Sequence, residues 1–308
     1  MVRVVKLVVY RSEQRECLGV LDLEQELVYE ITAETRAGPQ AELLRLIESW
    51  DSIESMSVHS AGDGVPFGSV ELLAPLPRPA RNVFCVGKNY RDHSAEFGGS
   101  GFDASGHTDD ASASLPNLPI LFTKPPSSVI GPATPIDSHP GVTDAIDYEV
   151  ELGVIIGRGG RGIRQQEAWD HIWGYTIVND VTARDLQRDH KQWFLGKSLD
   201  TFCPMGPWAV TADEVDVTNL TVQCWINGEL RQKASTRDLI FDIPTLISTL
   251  SSGMSLQPGD VIATGTPAGV GIGFNPPRFL TSGDIVSMEI TGLGALTNPV
   301  GRASSESL

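Results

Sequence analysis

Basic residues are scarce in this chain: Lys and Arg number 23 against 39 Asp and Glu, a formal charge of −16 over 308 residues. That balance argues against nucleic acid, whose phosphates need clustered cations, and against anionic membrane surfaces. An anionic substrate would need positive charge gathered locally, from a metal ion or from buried Lys and Arg. Cysteine is also sparse, and Cys17, Cys85, Cys203 and Cys224 lie without CxxC spacing. This disfavours a zinc site or disulfide framework and predicts reduced, buried thiols. No apolar run approaches the roughly 20 residues that a membrane helix needs. The opening "MVRVVKLVVYRSEQ" lacks a small-residue cleavage site, and its alternation reads as a first strand. The expectation is a soluble cytoplasmic protein.

What is present is a globular composition, 41% hydrophobic and 20% charged. Residues 1–78 read as a small N-terminal α/β domain. "VRVVKLVVY", "CLGVLDLEQ" and "LVYEI" have strand character, and "PQAELLRLIESW" has apolar residues at helical spacing. The proline-rich "LLAPLPRPARN" suits a stiff connector into a domain at 79–308. After Phe97, "GGSGFDASGHTDDASASLPNLP" is long for an internal connection and reads equally as a lid or as an insertion. From Pro119 onward short strands alternate with Gly and Pro turns, and "RQQEAWDHI" and "DIPTLISTLSS" are the best helical segments. The class expected is β-rich α+β.

Three acids alternate in "DYEVELGVIIG". On a strand Asp147, Glu149 and Glu151 share one face. If that face is buried, the charges need a compensating cation, and a hard divalent ion with oxygen ligands fits: Mg²⁺, with Mn²⁺ or Ca²⁺ as alternatives. A wet acidic face is the competing reading. "GYTIVNDVTARDLQ" adds Asp180 at a strand end, a candidate third ligand beside Glu149 and Glu151. Arg184 and Gln187 follow at helical spacing, and Asp180 with Arg184 also fits a simple i,i+4 pair. "GKSLDTFCPMGPW" offers Lys197 either to a substrate carboxylate or to solvent. "LQPGDVIATGTPAGVG" is a glycine-rich turn around Thr266 without the Lys and Ser/Thr of a phosphate loop. In "GKNYRDHSAEFG", His93 and Glu96 sit three residues apart, on one face if a helix starts after Tyr90. The remaining histidines have no ligand spacing and receive no role.

These segments, in this order, together with "LFTKPPSSVIGP" and "NGELRQKASTRDLIF", resemble the fumarylacetoacetate hydrolase family over most of residues 80–300. The resemblance implies a mixed β-sandwich roll, a homodimer and a bound divalent metal. By position it implies Glu149, Glu151 and Asp180 as metal ligands, His93 and Glu96 as a catalytic dyad, Lys197 beside them, and Arg184, Gln187 and Thr266 facing substrate. The animal fumarylacetoacetases carry a further aspartate ligand before the catalytic histidine. Here "CVGKNY" has no acid, which points to the bacterial-type acylpyruvase, isomerase and decarboxylase relatives.

The activity expected first is metal-dependent hydrolysis of a C–C bond in a 1,3-diketo acid, of the acylpyruvate, fumarylpyruvate or fumarylacetoacetate kind. His93 activates water, since imidazole exchanges protons near neutrality. The same machinery serves an oxaloacetate-type decarboxylase or a 2-oxo acid tautomerase or isomerase of aromatic catabolism. A non-catalytic protein that binds metal and a small anionic 2-oxo acid is the alternative from another class.

Overall fold

The computed structural model describes residues 6–31, 38–49, 60–101 and 115–303. Residues 102–114, most of the stretch read as a lid or insertion, lie outside the described residues. Among the described residues the architecture is β-rich, with a twelve-stranded sheet facing a five-stranded one. The central strand Val150–Ile156 is buried along its whole length, and apart from Glu151 its residues are apolar, as a strand covered on both faces requires. It lies between Ile172–Asn179 and Val261–Ala263, antiparallel to both. Val261–Ala263 in turn pairs in parallel with Val83–Gly87, which pairs antiparallel with Ile120–Lys124.

Alternation divides the core into two layers. Phe84, Val86, Leu152 and Val154 pack with Val222, Met288 and Ile290 of the five-stranded sheet. Val83, Cys85 and Ile155 face the other way, into a layer with Leu43, Leu46 and Ile47 of the helix Pro39–Glu48. The result is the sandwich that the sequence led us to expect. The N-terminal strand Lys6–Ser12 extends the large sheet by pairing with Cys203–Thr211, Lys6 opposite Val210. All four cysteines are free and buried. No helix among the described residues is long and apolar enough to cross a membrane.

Strand direction determines where the chemistry gathers. Val83–Gly87 and Val261–Ala263 run parallel, so the segments that leave them emerge at one edge of the sheet. The antiparallel partners bring the start of Val150–Ile156 and the end of Ile172–Asn179 to the same edge.

Candidate functional site

Register builds the acidic centre. Val150 faces Asn179, and the Asp180 N–H donates to the Glu149 carbonyl at 2.9 Å. One carboxylate oxygen from each of Glu149, Glu151 and Asp180 lies within 4.8 Å of the others, and all three residues are buried. The acidic face is therefore dry. Asp147 sits on the separate short strand Ile146–Asp147, paired with Thr182–Ala183, and is not part of this cluster.

Three buried cations answer the acids. Lys197 Nζ donates to Glu149 Oε2 at 2.8 Å and to Asp180 Oδ2 at 2.6 Å. Lys124 Nζ donates to Asp180 Oδ1 at 2.7 Å and to the Val181 carbonyl at 2.9 Å. Arg184 Nε donates to Asp147 Oδ2 at 2.9 Å. A second guanidinium nitrogen lies 2.6 Å from Glu149 Oε1, an ionic contact that is off the hydrogen-bonding direction. Asp180 thus pairs with two lysines, and the i,i+4 partnership with Arg184 does not form. Gln187 does share a helical face with Arg184, whose Nη1 donates to its Oε1 at 3.2 Å.

Glu151 is the acid left over. Asp147, Glu149 and Asp180 each meet a buried base, whereas Glu151 Oε2 accepts only the Gly265 N–H, at 2.8 Å, among the described residues. Burial, with Asp180 and Glu149 close by, pushes the Glu151 carboxyl well above its usual range. Burial opposes ionisation of Glu149 too, but Lys197, Arg184 and His93 together hold its carboxyl low. A dry cluster of oxygen donors with one uncompensated acid fits a hard divalent cation, bound by Glu149, Glu151 and Asp180.

A pH dependence follows. The raised Glu151 group binds its proton more tightly in the folded chain, so its contribution to stability is full below the unfolded pKa, near 4.3, and is lost as pH rises through the folded value. Without metal the melting temperature is expected to fall by about 2 °C per pH unit in that window. Saturating Mg²⁺ should flatten the slope; scanning calorimetry between pH 5 and 8 checks it.

The helix Arg91–Gly99 begins directly after Tyr90 and turns His93 and Phe97 inward. His93 Nδ1 lies 3.3 Å from Glu96 Oε2. Glu96 is held in turn by the Gly269 N–H, 3.0 Å from Oε1 and 3.2 Å from Oε2. The same loop offers Asp147 the Gly271 N–H at 2.6 Å and the Ile272 N–H at 3.1 Å. One glycine loop therefore seats both the partner of His93 and the partner of Arg184. A Cβ at Gly273 would overlap the Glu96 carboxylate, so any larger residue there must push that side chain from its place. Gly273→Ala is expected to cut turnover about a hundredfold by misplacing the dyad, while Mn²⁺ affinity, measured by calorimetry, stays unchanged.

His93, Arg184, Gln187, Lys197 and Thr266 face one cleft with Glu149 and Glu151. The two remaining residues singled out from the sequence reach this group through neighbours, Glu96 through His93 and Asp180 through Lys197. The sequence reading missed an aromatic wall: Trp193 stacks edge-on to Phe97 at 5.9 Å and to Phe122 at 5.4 Å between ring centroids. Gly87 lies so close under Trp193 that a Cβ there would strike the indole. Lys124 and Asp147 were missed as members of the charge network. The signal available for Lys124 was its place in "LFTKPPSSVIGP".

Residues 82–301 match the C-terminal region of the fumarylacetoacetate (FAA) hydrolases. Over 233 residues the chain is 51% identical to oxaloacetate tautomerase YisK of Bacillus subtilis (strain 168), covering 75% of this chain and 73% of that protein. Over 235 residues it is 43% identical to the mitochondrial oxaloacetate tautomerase fahd2 of Xenopus laevis, covering 75% of this chain and 69% of that one. The solved fumarylacetoacetate hydrolase (EaFAH) from psychrophilic Exiguobacterium antarcticum superposes with a TM-score of 0.79 at 40% identity, covering 96% of this chain and 99% of its own. With the sandwich, the acidic centre and the dyad in place, the match over most of the chain settles the assignment: it belongs to the fumarylacetoacetate hydrolase family and is an enzyme of that family.

Proposed function

We propose that the chain interconverts the enol and keto forms of a small 2-oxo dicarboxylic acid of the oxaloacetate kind. The observation that carries this is a single proton-transfer pair, His93 and Glu96, facing the same buried cluster of acids and cations. Two relatives, from Bacillus subtilis and Xenopus laevis, are named oxaloacetate tautomerases, which favours this reaction over the C–C hydrolysis expected first.

Tautomerisation needs one proton moved at carbon and negative charge held on the neighbouring oxygen. His93 takes the proton from C3 of the keto form, and the enolate oxygen then takes a proton from His93 or from solvent to give the enol. The reverse reaction runs the same transfers backward, with Glu96 orienting the imidazole. A divalent ion held by Glu149, Glu151 and Asp180, with Mg²⁺ the ion expected, would supply positive charge for the carboxylate and 2-oxo oxygens of the acid. Lys197 adds a fixed ammonium beside these oxygens, and Arg184 holds Glu149 in place. Gln187 and Thr266 line the cleft where the rest of the acid lies. A divalent ion added to Lys124, Lys197 and Arg184 would outweigh the four buried acids and let a chain of charge −16 receive an anion.

The test is a side-by-side assay of the Mg²⁺-loaded protein for enol–keto interconversion and decarboxylation of oxaloacetate and for hydrolysis of acylpyruvates. Tautomerisation is expected to exceed the other two by at least about tenfold. Hydrolysis as the fastest reaction would restore the first expectation. Oxalate binding without turnover of any 2-oxo acid would favour the non-catalytic alternative.

A further inference from the structure

Gln232 lies on the strand Glu229–Ser235 of the five-stranded sheet, fully buried and outside the cleft lining. Its amide joins the acid-bearing strand to the glycine loop. Oε1 accepts the Val150 N–H at 3.2 Å. Nε2 donates to Thr266 Oγ1 at 2.8 Å and to the Pro267 carbonyl at 2.7 Å. The orientation of this amide is unambiguous, because a backbone N–H cannot accept and a backbone carbonyl cannot donate. Both Nε2 hydrogens are consumed, so the Thr266 oxygen acts there as an acceptor.

A hydroxyl has one proton to give. Among the described residues no acceptor takes the Thr266 proton, and Thr266 lines the cleft with His93, Glu149, Glu151 and Lys197. We infer that Gln232 is a positioning residue, which fixes Thr266 as a hydrogen-bond donor to an oxyanion of the bound acid. The inference rests on the reading of the cleft as a 2-oxo acid site and adds a polarity to it. A ligand atom at Thr266 must be an acceptor, such as a carboxylate, 2-oxo or enolate oxygen, and an analogue presenting a donor there is rejected.

Gln232→Glu reverses the polarity in either protonation state. As a carboxylate the new side chain only accepts. As a neutral acid its one proton must serve the Pro267 carbonyl, leaving the oxygen to accept from Thr266. Thr266 then turns its proton away from the cleft.

The experiment measures oxalate affinity by calorimetry in saturating Mg²⁺, and Mn²⁺ affinity without oxalate, for four variants. Thr266→Val is expected to weaken oxalate about tenfold to a hundredfold, the range for a hydrogen bond to a charged group. Thr266→Ser should stay within about threefold of wild type. Gln232→Glu should match Thr266→Val, and the double variant should be no weaker than Thr266→Val alone, because both changes remove one donor. Mn²⁺ affinity should be unchanged throughout. Wild-type oxalate affinity in Gln232→Glu, or multiplying effects in the double variant, would overturn the inference. So would a parallel fall in Mn²⁺ affinity, which would mean that Gln232 acts through the acids. Should Gln232→Glu fail to fold, the Thr266 pair decides: equal affinities for the Val and Ser variants refute the donor. If wild-type protein binds no oxalate, the functional reading falls and this inference with it.

Discussion

Glu151→Gln is expected to weaken Mn²⁺ binding by more than about a hundredfold, beyond what loss of a residue outside the ligand shell costs, and at the same time to raise the melting temperature of the metal-free protein. The two effects have one cause. Glu151 is buried beside Glu149 and Asp180 and has no ion pair among the described residues. A neutral amide removes that unpaired charge yet keeps an oxygen for the Gly265 N–H. Calorimetric Mn²⁺ titration and thermal melts at pH 8 check both directions. Glu149→Gln gives a useful contrast, since it would strand Arg184 and Lys197 without their shared acid and lower stability. Unaltered Mn²⁺ affinity in Glu151→Gln would remove that residue from the ligand set.

His93→Ala is the second large effect, a fall of about a hundred- to ten-thousandfold in enol–keto interconversion, the usual worth of a positioned acid–base group. Among the described residues His93 forms an ion pair only with Glu96 and touches none of the three acids directly, acting on Glu149 only through its charge, so metal affinity should stay within about threefold of wild type. The variant also separates the chemistries. Decarboxylation needs only a place for the electrons and should survive, whereas tautomerisation and hydrolysis both need the imidazole. Optical assays of the oxaloacetate enol, run beside CO₂ release, supply the comparison. Unchanged tautomerisation would exclude the dyad.

Much of this site was legible in the sequence because its parts are local. His93 and Glu96 lie one helical turn apart, as do Arg184 and Gln187, and Glu149 and Glu151 lie two residues apart. Short-range geometry put each pair on one face, and the family resemblance supplied the role. The addition of Asp180 depended on strand register, which the sequence only suggested and which the Asp180 to Glu149 backbone bond makes definite. What escaped notice is what register alone cannot reveal. Lys124 reaches Asp180 across 56 positions, and Gly271 meets Asp147 across 124. Spacing left Arg184 open to a surface pairing with Asp180 beside the substrate-facing place that the resemblance implied, because it says nothing about which way a buried guanidinium turns. In the structure it faces Asp147 and Glu149. Gln232 gave no signal, since a polar residue on an alternating strand reads as solvent-facing until its neighbours are known.

The central claim, that acids from two separate segments grip one cation, is tested most directly by a crystal grown with Mn²⁺ and examined for anomalous scattering. The account predicts one strong peak within about 2.0–2.6 Å of oxygens from Glu149, Glu151 and Asp180. A peak elsewhere, or none at saturating Mn²⁺ with Glu149 and Asp180 still held by Lys124, Lys197 and Arg184 and Glu151 still on the Gly265 N–H, would contradict it.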